Sequence, residues 1–487
     1  MSFNVLNTNA VDLQQSLSEN KLTSVEVVQQ YFAQIDRHES ELNAFISPAP
    51  RDKVLRVAKA LDEERQNGQL RSALHGIPIV LKDCFITASK LGMSTTAGSL
   101  AFVGSEASKN SAIAQRLIDA GLIILGKSNM TEFAGMKMTM MIPGWSSHGG
   151  QTLSPYVKQI EENETILGHS APGGSSTGSA VAVSAGFSPL AMGTETIGSI
   201  ITPSSRNALY ALKPTIGAQD VSGVYTMTDF YDSPGPMAKC AADVRALASI
   251  LLGRDFNSPD MGSWKGLSVG FVDHKLWDLP DELCRPHEGT VEQTGEDYID
   301  VIRTLEKNGC PLKYPVEVPD TSVLPNVISL AHWDFKHITM PRFIAAFDKC
   351  PMGSVEDIIK FNETNKDRAM PAPYTEQNDL EKAMNSNQDP EDMAKIKEEL
   401  RTMGRQILDK AFDDNGVNIL VGPVDSGFCI HACAAGYPVA TLPVGQLRYN
   451  GRPFGAVAIA KGDDEESLLR LQAAYEAACK PRPLPDL

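Results

Sequence analysis

Two serines and one lysine are the residues in this sequence most suited to chemistry. Ser175 lies in Pro172-Gly173-Gly174-Ser175-Ser176-Thr177-Gly178-Ser179-Ala180, and Ser199 lies in Gly193-Thr194-Glu195-Thr196-Ile197-Gly198-Ser199-Ile200. Lys82 follows the apolar run Ile77-Pro78-Ile79-Val80-Leu81. Loops rich in Gly and Ser let the backbone approach a ligand closely, and they present successive N–H groups as an anion nest. A hydroxyl beside such a nest, with a base able to take its proton, has the parts of covalent acyl transfer. Each part alone has a commoner use. A Lys-Asp pair such as Lys82-Asp83 usually sits in solvent at a strand end, and a Gly/Ser loop is more often a connector or a phosphate cradle. Only the combination points to catalysis.

The surrounding sequence supplies the elements that must hold these residues. Thr23-Ser24-Val25-Glu26 has the form of a capping box, and Val28, Phe32 and Ile35 follow at helical spacing, which predicts a helix over 24–38. A second helix is expected over 51–67 and a third over 111–120. The apolar run 77–81 reads as a strand delivering Lys82, and 122–125 as another. A short strand at 189–192 leads into the Ser199 loop, and a helix begins near 180 behind the Ser175 loop. Strands alternating with helices imply an α/β sheet covered on both faces, with ligands at strand ends. Residues 255–412 are more charged and proline-bearing, with a helical stretch over 391–412, and lack Gly/Ser loops. They read as a helical elaboration, a lid or substrate wall. Sheet-like patterning returns at 417–421 and 438–443, and a last helix is expected over 465–479.

The bulk properties narrow the class. The chain has 487 residues, 42% hydrophobic and 21% charged, the composition of a folded protein with a large core. Its net charge of −16 argues against a non-specific grip on nucleic acid or on anionic membranes. The first residues carry no basic segment followed by an apolar one, and no stretch approaches membrane-spanning length, so a cytoplasmic setting is the expectation. Eight cysteines are too few for a disulfide scaffold, and Cys429-x3-Cys433 without a second pair is weak for zinc. No metal and no cofactor is expected.

Further segments occur in order around the three residues: Gly126-Lys127-Ser128-Asn129-Met130-Thr131-Glu132-Phe133, Leu212-Lys213-Pro214-Thr215 and Gly235-Pro236-Met237-Ala238-Lys239. Together with the lysine and serine segments, they make the chain resemble the amidase signature family. The likeness runs from the N-terminal helix to Gly451-Arg452-Pro453-Phe454 and is weakest over 255–412. It implies a single domain over 1–487 with a central mixed, twisted β-sheet, helices on both faces and a helical elaboration. Its parts would be an N-terminal helical arm over 1–70, a catalytic core over 71–254, a variable helical region over 255–412 and a return to the core sheet over 413–487.

The resemblance implies an amidase acting on a small-molecule amide, linear amides foremost, and leaves a homodimer open. Ser199 would be the nucleophile, Ser175 the bridging serine after a cis Gly174–Ser175 peptide, and Lys82 the base acting through Ser175. A buried lysine can be neutral near pH 7, as that role requires. The N–H groups of Thr196, Ile197, Gly198 and Ser199 would hold the oxyanion, with Ala134 and Ser175 also at the substrate. Met130, Met136, Met138, Met140 and Met141 fall in a segment that the family lays along the acyl cleft, although core packing accounts for them equally well.

Three positions depart from the family: Glu195 replaces the usual Asp, Ile197 a Gly and Ile201 an Arg. Ile197 keeps its backbone donor provided its φ is negative. Arg206 is the nearest candidate to replace the missing arginine as partner of Glu195. Three other readings compete. One is an amidotransferase A-type glutaminase subunit working with a partner. Another is a catalytically impaired protein of the same fold. The third uses Gly174-Ser175-Ser176-Thr177-Gly178 as a nucleophile elbow centred on Ser176, which would leave Lys82 and Ser199 without a role.

Overall fold

The computed structural model describes residues 3–277, 279–325 and 327–487. Thirteen strands are found among them: β1 (Phe45–Pro48), β2 (Pro78–Lys82), β3 (Ile123–Ser128), β4 (Trp145–Ser146), β5 (Gly150–Gln151), β6 (Leu190–Glu195) and β7 (Tyr210–Lys213), then β8 (Ser233–Ala238), β9 (Val269–Val272), β10 (Leu312–Val316), β11 (Ile419–Pro423), β12 (Val439–Gln446) and β13 (Pro453–Ala460). β4 and β5 form a small hairpin. The other strands make one sheet in the order β1-β3-β2-β6-β8-β7-β12-β13-β11-β9-β10.

The sheet is mixed. β3, β2 and β6 run parallel, as do β11, β9 and β10, and an antiparallel run through β8, β7, β12 and β13 joins the two groups. Because β2 and β6 are parallel neighbours, their carboxyl ends open on the same edge. Lys82 closes β2 there, and Glu195 closes β6 and starts the Ser199 loop. This is the edge at which α/β sheets bind ligands.

Both faces of the sheet are buried, in two separate cores. Side chains alternate across a strand, and β13 uses both sides. Ala456, Ala458 and Ala460 share a core with Leu468, Leu471 and Tyr475 of the Glu465–Ala478 helix. Val457 and Ile459 share the other with Leu408 and Phe412 of the Pro390–Asn415 helix and with Phe428. The expected capping box at Thr23 is present: the Glu26 N–H donates to Thr23 Oγ1 at 3.1 Å and the Thr23 N–H to Glu26 Oε2 at 2.8 Å. The helix runs over Ser24–Leu42, longer than its apolar spacing suggested, and stops at Asn43 in the left-handed region.

Two expectations about the chain's parts need correction. The stretch 255–412 is not purely helical, because it contributes β9 and β10, which extend the main sheet beyond β11. The stretch 1–70 is not purely helical either, because β1 pairs antiparallel with β3. Both segments supply short strands at the ends of the sheet. Among the described residues, no helix is long and apolar enough to cross a membrane.

Candidate functional site

Lys82 leaves the carboxyl end of β2 fully buried, and its Nζ donates to Ser175 Oγ at 2.8 Å. The same Nζ donates to Thr194 Oγ1 at 2.9 Å and to the Thr194 carbonyl at 3.1 Å. Three acceptors therefore fix the ammonium, and all its other surroundings are protein. Burial disfavours the charged form and pulls the lysine down to about 8, against the opposing pull of Cys84, Asp232 and Glu195. The adjacent Asp83 is not the solvated neighbour typical of such a pair. It is buried too, with Lys127 Nζ 3.5 Å away, and its Oδ2 accepts from Thr96 and Gly98.

Ser175 follows a cis peptide from Gly174, and its carbonyl accepts from the Thr131 N–H at 3.1 Å. Ser176 turns the other way. Its Oγ donates to the Thr194 carbonyl at 3.0 Å and accepts from the Thr194 N–H at 3.2 Å, inside the protein. Both lone-pair and proton capacity are used in bracing β6, so Ser176 is a structural hydroxyl and not an exposed elbow nucleophile. The two serine loops are stitched together where the Ser176 N–H donates to the Ser199 carbonyl at 3.1 Å.

Ser199 is 6% exposed and precedes the short Ile201–Arg206 helix. Gly198 before it has φ +82°, a conformation that glycine adopts without strain. Ile197 is absent from the positive-φ residues, so its replacement of glycine leaves the backbone path intact. Among the described residues, the N–H groups of Ile197 and Ser199 meet no acceptor, which leaves them free for an anion. Thr196 is anchored beside them, its Oγ1 3.3 Å from Met227 Sδ and its side chain bonded to Asp232. Asp232 is itself buried, accepts from the Met227 N–H at 2.8 Å, and is pushed up to about 7 by burial.

Glu195 is held differently from the expectation. Its Oε2 accepts from the N–H groups of Ile200 and Ile201, at 2.6 and 2.8 Å, capping the turn that carries Ser199. Burial raises its pKa, and the charge of Lys213 is the first influence that lowers it. Arg206 is not its partner. The Arg206 guanidinium, fully buried, pairs with Asp425 at 3.0 Å and donates to the carbonyls of Leu167 and Gly168. The longer acid reaches the turn's own N–H groups, and the arginine six places after Ile200 points to another part of the fold.

Ala134 lies in a turn where it and Phe133 both take left-handed backbone, φ +57° and +49°, and it remains partly exposed. Of the methionines, Met130, Met136 and Met141 are buried in the core, whereas Met140 faces solvent. Cys429 and Cys433 are buried on the Phe428–Ala435 helix, and burial pushes the Cys433 thiol up to about 12. Sequence reasoning missed Thr194, Asp232 and Asp425. Thr194 stood inside a quoted motif and could have been found. Asp425 gave no local signal.

Comparison with known proteins finds similarity over most of the chain. The family model described as Amidase matches residues 26–427. A putative amidase of Schizosaccharomyces pombe is 27% identical, with 96% of this chain and 84% of that protein covered. The A subunit of glutamyl-tRNA(Gln) amidotransferase from Zymomonas mobilis is 28% identical, over 96% of this chain and 95% of its own. The native peptide amidase of Stenotrophomonas maltophilia superposes with a TM-score of 0.85 at 29% identity, covering 100% of this chain and 99% of that one.

Proposed function

The chain belongs to the amidase family, and we infer from its site that it hydrolyses carboxylic amides through an acyl-enzyme on Ser199. The observation that carries this reading is the Lys82 Nζ to Ser175 Oγ contact of 2.8 Å, made by a lysine whose burial brings it down to about 8. An amine near neutrality can accept the proton of Ser175 as well as donate to it.

In the proposed sequence, neutral Lys82 takes the proton of Ser175 while Ser175 takes that of Ser199. Ser199 Oγ then bonds to the amide carbon. The carbonyl electron pair moves to oxygen, and the oxyanion is met by the N–H groups of Ile197 and Ser199, with that of Thr196 beside them, whereas the Gly198 N–H is engaged by the Glu195 carboxylate. Collapse breaks the C–N bond. The departing nitrogen receives a proton from Ser175, which recovers one from Lys82. Water then attacks the ester by the same relay, releasing acid and restoring Ser199. Losing one oxyanion donor typically costs about 10²–10³ in rate, so the Glu195 cap on this turn matters to catalysis.

Linear small-molecule amides are the proposed substrates. The likeness to a peptide amidase over the full chain supports a stand-alone hydrolase. The likeness to the A subunit of an amidotransferase supports a second reading, ammonia release from glutamine. Labelling with a serine-directed phosphonate, mapped by mass spectrometry, tests the first reading. An adduct on Ser199 is expected, and one on Ser176 would overturn it. Ammonia release from glutamine faster than from simple amides would favour the second.

A further inference from the structure

A cavity of about 260 Å³ opens against Asp425 and Arg452, and Lys82, Ser175 and Ser199 take no part in its lining. Its walls include Val291, Val444 and Phe454, and Thr294 also faces it. The cavity has room for a small organic molecule, since one water needs only about 10–15 Å³ by a comparable measure.

Arg452 gives the cavity its chemistry. Its side chain is almost wholly buried. Nη1 donates to Asp425 Oδ2 at 3.0 Å, and Nη2 meets His169 Nδ1 at 3.0 Å. A guanidinium has donors only, so His169 must accept at Nδ1 and is neutral there. Burial and the neighbouring arginine hold that histidine down to about 4. The third guanidinium nitrogen of Arg452, Nε, is buried and finds no acceptor among the described residues. A buried donor on a permanently charged group is costly to leave unmade. Asp281 also lines the cavity, so an anionic ligand would be oriented with its charge toward Arg452 and its apolar body along Val291, Val444 and Phe454.

We propose that this cavity is a second small-molecule site, which takes a compact carboxylate with an apolar body against Arg452, Val444 and Phe454. It is separate from the serine site in its residues yet linked to it through Asp425. That carboxylate binds Arg452 on one side and, on the other, Arg206, the last residue of the helix that follows Ser199.

Isothermal titration calorimetry of the full chain with phenylacetate, hexanoate and the uncharged 2-phenylethanol, which has no amide to hydrolyse, tests the site. Saturable one-to-one binding of at least one carboxylate, tighter than that of 2-phenylethanol, is expected. Thr294→Phe should fill the cavity and abolish that binding while leaving amide turnover unchanged. Arg452→Met should weaken it by about tenfold or more, the effect of losing a hydrogen bond to a charged group. Binding unchanged in Thr294→Phe would put the ligand elsewhere and overturn the proposal. So would no binding of either carboxylate at millimolar concentration, the result expected of a cavity that holds only water.

Discussion

Arg206 and Asp425 lie 219 residues apart in sequence and form an ion pair of 3.0 Å, with the arginine fully buried. Asp425 also binds Arg452 at 3.0 Å, so one carboxylate serves two buried guanidiniums and is held well below the usual carboxylate range by them. Arg206 at the same time donates to the carbonyls of Leu167 and Gly168, on the approach to the Ser175 loop. The pair thus fastens the helix after Ser199 to the segment before Ser175.

Removing one partner of a buried pair leaves an uncompensated charge, at a cost of about 3–5 kcal/mol. Asp425→Asn should therefore destabilise the protein more than Arg206→Met, because it strands two arginines. In urea denaturation the double variant should lose less than the two singles together. Glu195→Gln with Arg206→Met should be additive, since the two share no bond. Additivity in the Arg206/Asp425 cycle would refute the pairing.

Catalysis should follow the titration of Lys82. A base must be neutral, so kcat/KM should rise with pH through an apparent pKa near 8, the position to which burial brings Lys82. Lys82→Ala should lose about 10³-fold or more of the rate and flatten that limb. A pH-rate profile that is flat from 6 to 10 in the parent protein would contradict the assignment, as would full activity in Lys82→Ala.

Asp232 should tune that limb. Its charge raises the Lys82 pKa, as a nearby anion favours an ammonium. Replacement by Asn removes the charge and should move the rising limb toward acid. The same substitution keeps an acceptor for the Met227 N–H, so the Thr196 turn should stay in place. A limb shifted toward alkali in Asp232→Asn would reverse the sign and refute the coupling.

The buried Lys127–Asp83 pair beneath the lysine strand should behave structurally. Lys127→Met strands Asp83 and should cost about 3–5 kcal/mol. Adding Asp83→Asn should recover part of that loss, because the remaining group is then neutral. Thermal unfolding of the two variants decides it, and no recovery in the double variant would count against a charge-based penalty.

Much of the site was readable in the sequence, because its signals are local. Lys82 at a strand end, Ser175 and Ser199 in glycine loops and the helix starting behind Ser175 all lie within short windows. The partner of Arg206 was not readable: Asp425 is brought to it by the packing of distant segments, and proximity along the chain pointed wrongly to Glu195. The edge strands escaped for a different reason. In Leu312–Val316 the middle residues Lys313, Tyr314 and Pro315 are exposed, so β10 shows neither an apolar run nor a clean alternation. Val269–Val272 is apolar but only four residues long, too short to stand out from the charged stretch around it.

The attachment of β9 and β10 to β11 bears on how such enzymes can be rebuilt. The region between the catalytic core and the C-terminal strands invites treatment as a cassette, to be exchanged between relatives in search of new substrate ranges. Here the cassette carries the sheet's border. Cutting it out would expose the unpaired backbone of β11, an open edge of the sort that recruits other chains into aggregates. A workable exchange would leave Val269–Val272 and Leu312–Val316 in place and replace only the helices and loops that follow them.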